Sequence, residues 1–193
     1  MARHPTVFVH QNGLCESDLV GPRTRVWAFA HVMDGAIVGS DCNVGGHAFV
    51  ETGAIVGDRV TVKNAVLIWD GVVIEDDVFL GPNVVFTNDL RPRAARDREL
   101  VEIVPTRVQR GATIGANATI VCGTTVGAHA FVAAGTVVTR DVAAHALVAG
   151  NPARAFGWVC ECGERLDEAL GCTCGRRYEA GDRGLGLVDG PTP

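Results

Sequence analysis

The sequence predicts an all-β fold of one kind: a solenoid of short parallel strands stacked coil upon coil. Three observations predict it. Apolar residues fall six apart for twelve consecutive beats, from Val20 through Val26, Val32 and so on to Ile74, Leu80 and Phe86. Four residues after each of the first eleven beats comes a small or modest side chain, from Thr24, Ala30 and Ala36 to Val78 and Val84. Glycine is abundant, at 24 residues, while aromatics are only 6% of the chain, which suits many tight turns. A spacing of six fits neither the 3.6 period of a helix nor the alternation of a half-buried strand. A fixed repeat of this kind marks units that bury their apolar edges against their neighbours.

The beats are mostly β-branched, and the intervening Gly, Asp and Asn suit turns. Each coil then carries a large and a small inward residue per hexad, with successive coils about 4.8 Å apart. Buried aliphatic beats at roughly 1.5–3 kcal/mol each supply the driving force before chain entropy is subtracted. Weaker echoes at Phe8 and Leu14 extend the pattern toward the N-terminus, so residues 1–13 read as a lead-in and 14–154 as the solenoid. The beat stops after Phe86 and resumes at Val108, running to Val138. Between them, about residues 89–107, "DLRPRAARDRELVEIVPTR" holds many charges and two prolines and reads as a loop excursion. Loops this long inside a regular scaffold are commonly functional or disordered.

Net charge is −5 with 17 scattered basic residues, which offers no nucleic-acid surface. The N-terminal "MARHPTVFVHQNG" lacks the apolar run of a signal peptide, and no stretch approaches a membrane span. The expectation is a cytoplasmic protein without membrane or nucleic-acid partners. Its seven cysteines then read as thiols or metal ligands rather than a disulfide framework.

The stretch "IVGSDCNVGGHAFVETGAIVGDRVTV" resembles the hexapeptide-repeat superfamily. That resemblance implies a left-handed parallel β-helix with three hexads per triangular coil. It also implies an acyltransferase working as a homotrimer, with active sites between subunits and the loop roofing the adjacent one. "IWDGVVIEDDVFLGPNVVFTNDLRPR" narrows the match to N-acetyltransferases of nucleotide-linked amino sugars, such as dTDP-3-amino-3,6-dideoxyhexoses and UDP-linked 3-amino glucuronic acid derivatives. Acetyl-CoA is the implied donor and a dTDP- or UDP-linked sugar amine the acceptor.

Folding the sequence at eighteen residues per coil turns it into a surface map. Asp34, Thr52, Asp70 and Asn88 form one column, and Met33, Glu51, Trp69 and Thr87 the next. The columns end where the repeat breaks, so this corner is the expected active site. Amine attack on a thioester needs a place for the amine, a donor for the oxyanion and a route for one proton. Many hexapeptide acetyltransferases place a histidine base near the loop, yet none occurs here between His47 and His129. Asn88 stands at the break and cannot be a base at neutral pH. The resemblance to the sugar-amine subfamily implies that the amine can arrive unprotonated and that the leaving thiolate can take its proton, so Asn88 and Asp70 are expected to orient the amine; Asp70 as a weak, desolvated base is the alternative. His31, Glu51, Trp69, Asp89, Arg91 and Arg93 are the expected substrate contacts. His47 and His129 should face outward, and His4, His10 and His145 read as structural or exposed.

For the donor, "GANATI", "VAAGTVV" and "GNPARAFG" resemble places where the superfamily lays the pantetheine arm along backbone amides. The resemblance points to Ala116, Ala134, Gly135, Asn151 and Pro152, with Arg140 and Arg154 meeting CoA phosphates. Past Arg154 the period disappears, and residues 155–180 form a Cys-rich appendage. Cys160 and Cys162, then Cys172 and Cys174, make two "CxCG" knuckles resembling a zinc ribbon, one residue shorter than the usual CxxC. A structural zinc, metal-free thiols and a disulfide all remain open. Residues 181–193 read as a flexible tail. An O-acetyltransferase acting on a sugar hydroxyl and a non-catalytic scaffold are the competing functions; a hexapeptide-type carbonic anhydrase fails for want of its His-x4-His pair.

Overall fold

A computed structural model describes residues 4–95 and 102–191. The described residues form no helix. Strands of two to four residues stack into three parallel walls, the left-handed parallel β-helix that the family resemblance implied. The first wall climbs from Phe8–Val9 through Arg25–Val26, Asn43–Val44, Thr61–Val62, Phe79–Leu80, Thr113–Ile114 and Phe131–Val132 to Ala146–Ala149. The second runs from Leu14–Cys15 to Val137–Val138, and the third from Ile37–Val38 to Thr125–Val126. Parallel pairing thus begins at Phe8, inside the stretch expected to be only a lead-in.

Register follows the count of eighteen: His31 pairs with Phe49, and Phe49 with Leu67. Every beat from Val26 to Val138 is essentially buried, and the small companions Ala30, Ala36, Ala48 and Ala54 are too. Among the described residues the inside is one almost wholly aliphatic cluster. Phe86 is the largest fully buried side chain, lying just below the break.

At the break the register jumps. Ile74 pairs with Val108 and Phe86 with Ile120, where an unbroken count would have used Pro92 and Val104. The excursion is therefore extruded between the second and third walls, and the helix resumes on the next face. Residues 96–101, the middle of that excursion, lie outside the described residues. Pairing of Ile120 with Val138 carries the Asn88 column upward through Cys122 to Arg140.

The C-terminal end departs from the sequence expectation twice. Arg154–Trp158 does not leave the solenoid but pairs antiparallel with Ala146–Ala149, closing the first wall. The stretch from residue 181 is not a flexible tail up to Asp189. Arg177–Gly181 and Gly184–Asp189 form an antiparallel hairpin that bridges back to Ala144. The physical reason is at Gly184, whose φ of +125° suits glycine and whose bare Cα lets the chain press against the Ala144 backbone. Leu185 is buried beside it. No described helix is long and apolar enough to cross a membrane.

Candidate active site

The corner between the second and third walls carries Met33–Asp34–Gly35, Glu51–Thr52–Gly53, Trp69–Asp70–Gly71 and Thr87–Asn88, one above another. Each of the three glycines has positive φ, 75°, 84° and 81°, which turns the chain sharply between walls. Gly53 has a second reason. The Asp70 carboxylate lies so close over it that a Cβ there would collide with Oδ1.

Backbone and side chains interlock upward. Glu51 Oε2 accepts the Asp70 backbone N–H at 2.9 Å, and Asn88 Nδ2 donates to the Asp70 carbonyl at 3.4 Å. Thr87 Oγ1 accepts the Cys122 N–H at 2.9 Å. The returning loop is sewn to the same corner: Val104 N–H donates to the Asn88 carbonyl at 3.0 Å, and Thr106 N–H to Gly71 at 3.1 Å. Ile103 rests on Gly71, where a Cβ would stand only 2.5 Å from its methyl. The break in the repeat thus places a rigid Asp70–Asn88 pair under a loop that returns directly over it.

Trp69 is half-buried, packed against the aliphatic interior and tilted 55° on Phe49 at 5.5 Å. Phe49 in turn meets His31 edge-on at 5.4 Å, and His31 Nε2 lies 2.8 Å from Glu16 Oε2. Trp69, Glu51, Asp70 and Asn88 share the corner, and His31 joins them through an aromatic row on the second wall. Asp89, Arg91 and Arg93 sit on the departing loop. Asp89 Oδ1 accepts the Arg91 N–H at 2.6 Å, and the Arg93 guanidinium bonds to the Pro92 carbonyl.

Ala116, Ala134 and Gly135 occupy the other end of the second wall, at its corner with the first. Their chain segments pack backbone to backbone: a Cβ on Gly81 would meet Ala116 N at 2.6 Å, and one on Gly115 would meet Ala134 N at 2.5 Å. Gly135 N–H donates to Ala116 O at 2.8 Å, and the space above the Gly135 Cα is open. The Asn151–Pro152 turn, with a cis peptide, sits at the top of the same wall, where Val137 N–H donates to Gly150 and Ala153 N–H to Val137. Arg154 bonds to the Ala153 carbonyl. Arg140 stands apart from these, in the Asn88 column. The donor candidates are thus split between two corners.

Three features escaped the sequence reading. Phe49 links His31 to Trp69, although its place eighteen residues from both His31 and Leu67 was readable. Phe29 and His47, also eighteen apart, stack at 5.0 Å. With Trp27, Lys63 and Asn64 they line a cleft of about 580 Å³ on the corner below Ala116. His129, expected to face outward, stacks on His145 at 5.0 Å with Glu161 3.8 Å away. Burial lowers the pKa of both imidazoles.

In the appendage the four cysteine sulfurs come together, all within 4.8 Å of one another.

Comparison with known proteins agrees with this architecture. The family described as bacterial transferase hexapeptide (six repeats) matches residues 105–140, and that described as hexapeptide repeat of succinyl-transferase matches residues 35–69. A curated protein of Aneurinibacillus thermoaerophilus, dTDP-3-amino-3,6-dideoxy-alpha-D-galactopyranose 3-N-acetyltransferase, is 49% identical over 180 residues. The match covers 92% of this chain and 93% of that protein. The chain belongs to the hexapeptide-repeat acetyltransferases.

Solved structures share the fold of this acetyltransferase. A hexapeptide transferase family protein from Anaplasma phagocytophilum matches with TM-score 0.56 at 15% identity, covering 83% of this chain and 80% of that one. The acetyltransferase domain of PglB from Neisseria gonorrhoeae, solved with acetyl coenzyme A, matches with TM-score 0.50 at 21% identity. That match covers 79% of this acetyltransferase but only 56% of the PglB chain.

Proposed function

We propose that this acetyltransferase moves acetyl from acetyl-CoA to the amino group of a dTDP-linked 3-amino-3,6-dideoxyhexose in the cytoplasm. The observation that carries the reading is the 49% identity to an enzyme of that activity over nearly the whole of both chains. The break corner supports it with a site suited to orienting a neutral amine.

In this reading the substrate amine attacks the thioester carbonyl beside Asn88. A C–N bond forms as the carbonyl π pair moves onto oxygen, the C–S bond then breaks, and the departing CoA thiolate takes the proton released by nitrogen. No protein base is required, and the Asn88 column, Asp34 to Arg140, holds no histidine. Asp70, with its backbone bonded to Glu51 and Asn88, aligns the amine. Trp69 with His31 bounds the sugar, while Asp89, Arg91 and Arg93 on the loop reach the nucleotide side.

The acceptor corner and the Ala116–Ala134–Gly135 corner stand at opposite ends of the second wall. A homotrimer around an axis parallel to the solenoid resolves this by setting one chain's acceptor corner against its neighbour's donor corner. Ile37 and Ile55 point outward from the third wall at about 40% exposure, which suits burial there.

Thiol release from acetyl-CoA, measured against a panel of dTDP- and UDP-linked amino sugars, tests the reading. Turnover is expected with dTDP-3-amino-3,6-dideoxyhexoses; no turnover with any member, and no CoA binding, would defeat it. Asn88→Ala should lower kcat/KM by about 100-fold through lost alignment while the trimer persists. Full activity in that variant removes Asn88 from the site.

A further inference from the structure

We propose that Cys160, Cys162, Cys172 and Cys174 bind one zinc ion in a closed four-thiolate site, and that this ion fastens the C-terminal cap onto the last coil.

The two knuckles repeat one another at a spacing of twelve residues, down to individual hydrogen bonds. Cys160 N–H donates to Glu164 O at 2.8 Å and Gly163 N–H to Cys160 O at 2.9 Å; Cys172 N–H donates to Arg176 O and Gly175 N–H to Cys172 O, both at 2.9 Å. Gly163 and Gly175 have φ of 92° and 91°, so each knuckle needs its glycine. Two such turns facing each other present four sulfurs to one point. Across the pair, Cys160 Sγ lies 3.6 Å from Cys174 Sγ, and Cys162 Sγ 3.5 Å from Cys172 Sγ. With Zn–S bonds of about 2.3 Å, a tetrahedron has edges of about 3.8 Å, close to both separations.

The surroundings are those of anionic sulfur. Tyr178 Oη already accepts the Glu161 N–H at 3.1 Å, which leaves its own proton to donate to Cys160 Sγ at 3.1 Å. Arg176 is buried, with its guanidinium 3.6 Å from Cys174 Sγ and 3.7 Å from Glu161. A buried guanidinium needs counter-charge, and thiolates supply it. Four protein ligands complete the tetrahedron and leave no open position for substrate, so the role is structural.

The cap needs such an ion. Its buried core is only Cys160, Leu166, Tyr178 and Leu185, too little to stand alone. Around the cluster, the Tyr178 ring packs on His145 at 4.8 Å, His145 Nδ1–H donates to Val159 O at 2.9 Å, and Leu185 N–H donates to Ala144 O. The ion thereby ties together the chain segments that cover the last corner of the solenoid, residues 143–146. Terminal caps of this kind are what solenoids require to end.

Elemental analysis of the full chain, purified without chelator or added metal, should give one zinc per chain. Cys162→Ser and Cys174→Ser should each lose it. Cobalt substitution should give sulfur-to-cobalt charge transfer and the d–d bands of a tetrahedral four-sulfur site. Stripping the metal should remove hydrogen-exchange protection from the 177–189 hairpin and leave the coils protected. Metal-free protein from zinc-replete cells, iron in place of zinc, or a disulfide among the four cysteines in the native mass would each overturn the proposal.

Discussion

From Cys15 to Val148 the interior is one continuous run of Val, Ile, Ala and a few larger side chains, while the cap buries only two leucines, a cysteine and a tyrosine beside further thiols and an arginine. The coils spread their stability over many similar small contributions, each shared only with neighbours above and below. The cap concentrates it in one small cluster of side chains. A solenoid can therefore lose one beat and keep its shape, whereas the cap stands or falls on single atoms.

Phe86→Ala is the hardest test of the coils, because it removes their largest fully buried side chain. It should cost about 3–5 kcal/mol, read by equilibrium urea unfolding. Coils distant from the second-wall cavity should retain their hydrogen-exchange protection. Global loss of protection would show that the coils are not a sum of local contributions. Thr87 and Asn88 directly follow the cavity, so kcat/KM should fall with stability.

Tyr178→Phe probes the cap by deleting one oxygen. It strands the Glu161 N–H and a sulfur, and should cost about 1.5–3 kcal/mol of cap opening, the scale of a hydrogen bond to a charged group. Exchange should quicken over Arg177–Asp189 alone. Equal quickening in the coils would erase the distinction between the two regions.

The same contrast governs what could be read from the sequence. The coils were legible because every hexad states the same inward pair, and the break at Asn88 was legible as the place where that statement stops. Counting by eighteen placed Trp69 under Thr87 and Asp70 under Asn88, and the strand register agrees. The aromatic row through Phe49 obeyed the same count but carries chemistry on residues that, taken singly, look like wall. The cap could not be read this way. Gly184 and its neighbours have the composition of a loose tail, and their order comes from contacts with Ala144 and Tyr178 that no local pattern records. Arg154–Trp158 likewise lost the period of six, yet its backbone still finds the first wall in the opposite direction.

A smaller effect separates the regions by pH. Burial, together for His129 with the neighbouring His145 charge, lowers both imidazole pKa values; Glu161 and Asp77 oppose the drop at His129, and Arg110 adds to it. At His145 the bond to Val159 O and the Glu161 charge oppose it. The opened cap, with ordinary imidazoles near 6.5, takes up protons that the closed cap refuses. Closure is thus fully favoured above about pH 6.5 and weakens as pH falls through the depressed folded values. Hydrogen exchange corrected for intrinsic rates should show the cap, and not the coils, loosening from about pH 7 to about pH 5. His129→Gln should flatten that slope, and an unchanged slope would remove His129 from it.

The least effect is expected where the structure shows its densest ion pairs. On the corner between the third and first walls, Arg59 Nε meets Asp77 Oδ1 at 2.6 Å and its Nη2 lies 3.4 Å from Asp76, while Arg110 Nε reaches Asp77 at 3.1 Å. Arg59, and after it Arg110, hold the Asp77 carboxyl below its usual range. The sign of that shift gives stability above the unfolded carboxylate value of about 3.9, lost as pH falls through the lower folded value. Yet the side chains of Arg59 and Asp77 are 47% and 33% exposed, so water and salt screen the attraction and two long side chains lose freedom to make it. Arg59→Ala keeps the turn feasible, since Ala65 adopts the same positive φ, 57° against 56°, one corner along. Thermal unfolding of that variant should match the parent at physiological salt and differ only slightly at low salt. A large drop that salt abolishes would mean the coils are held from outside by charge, and that the aliphatic interior carries less of their stability than its burial implies.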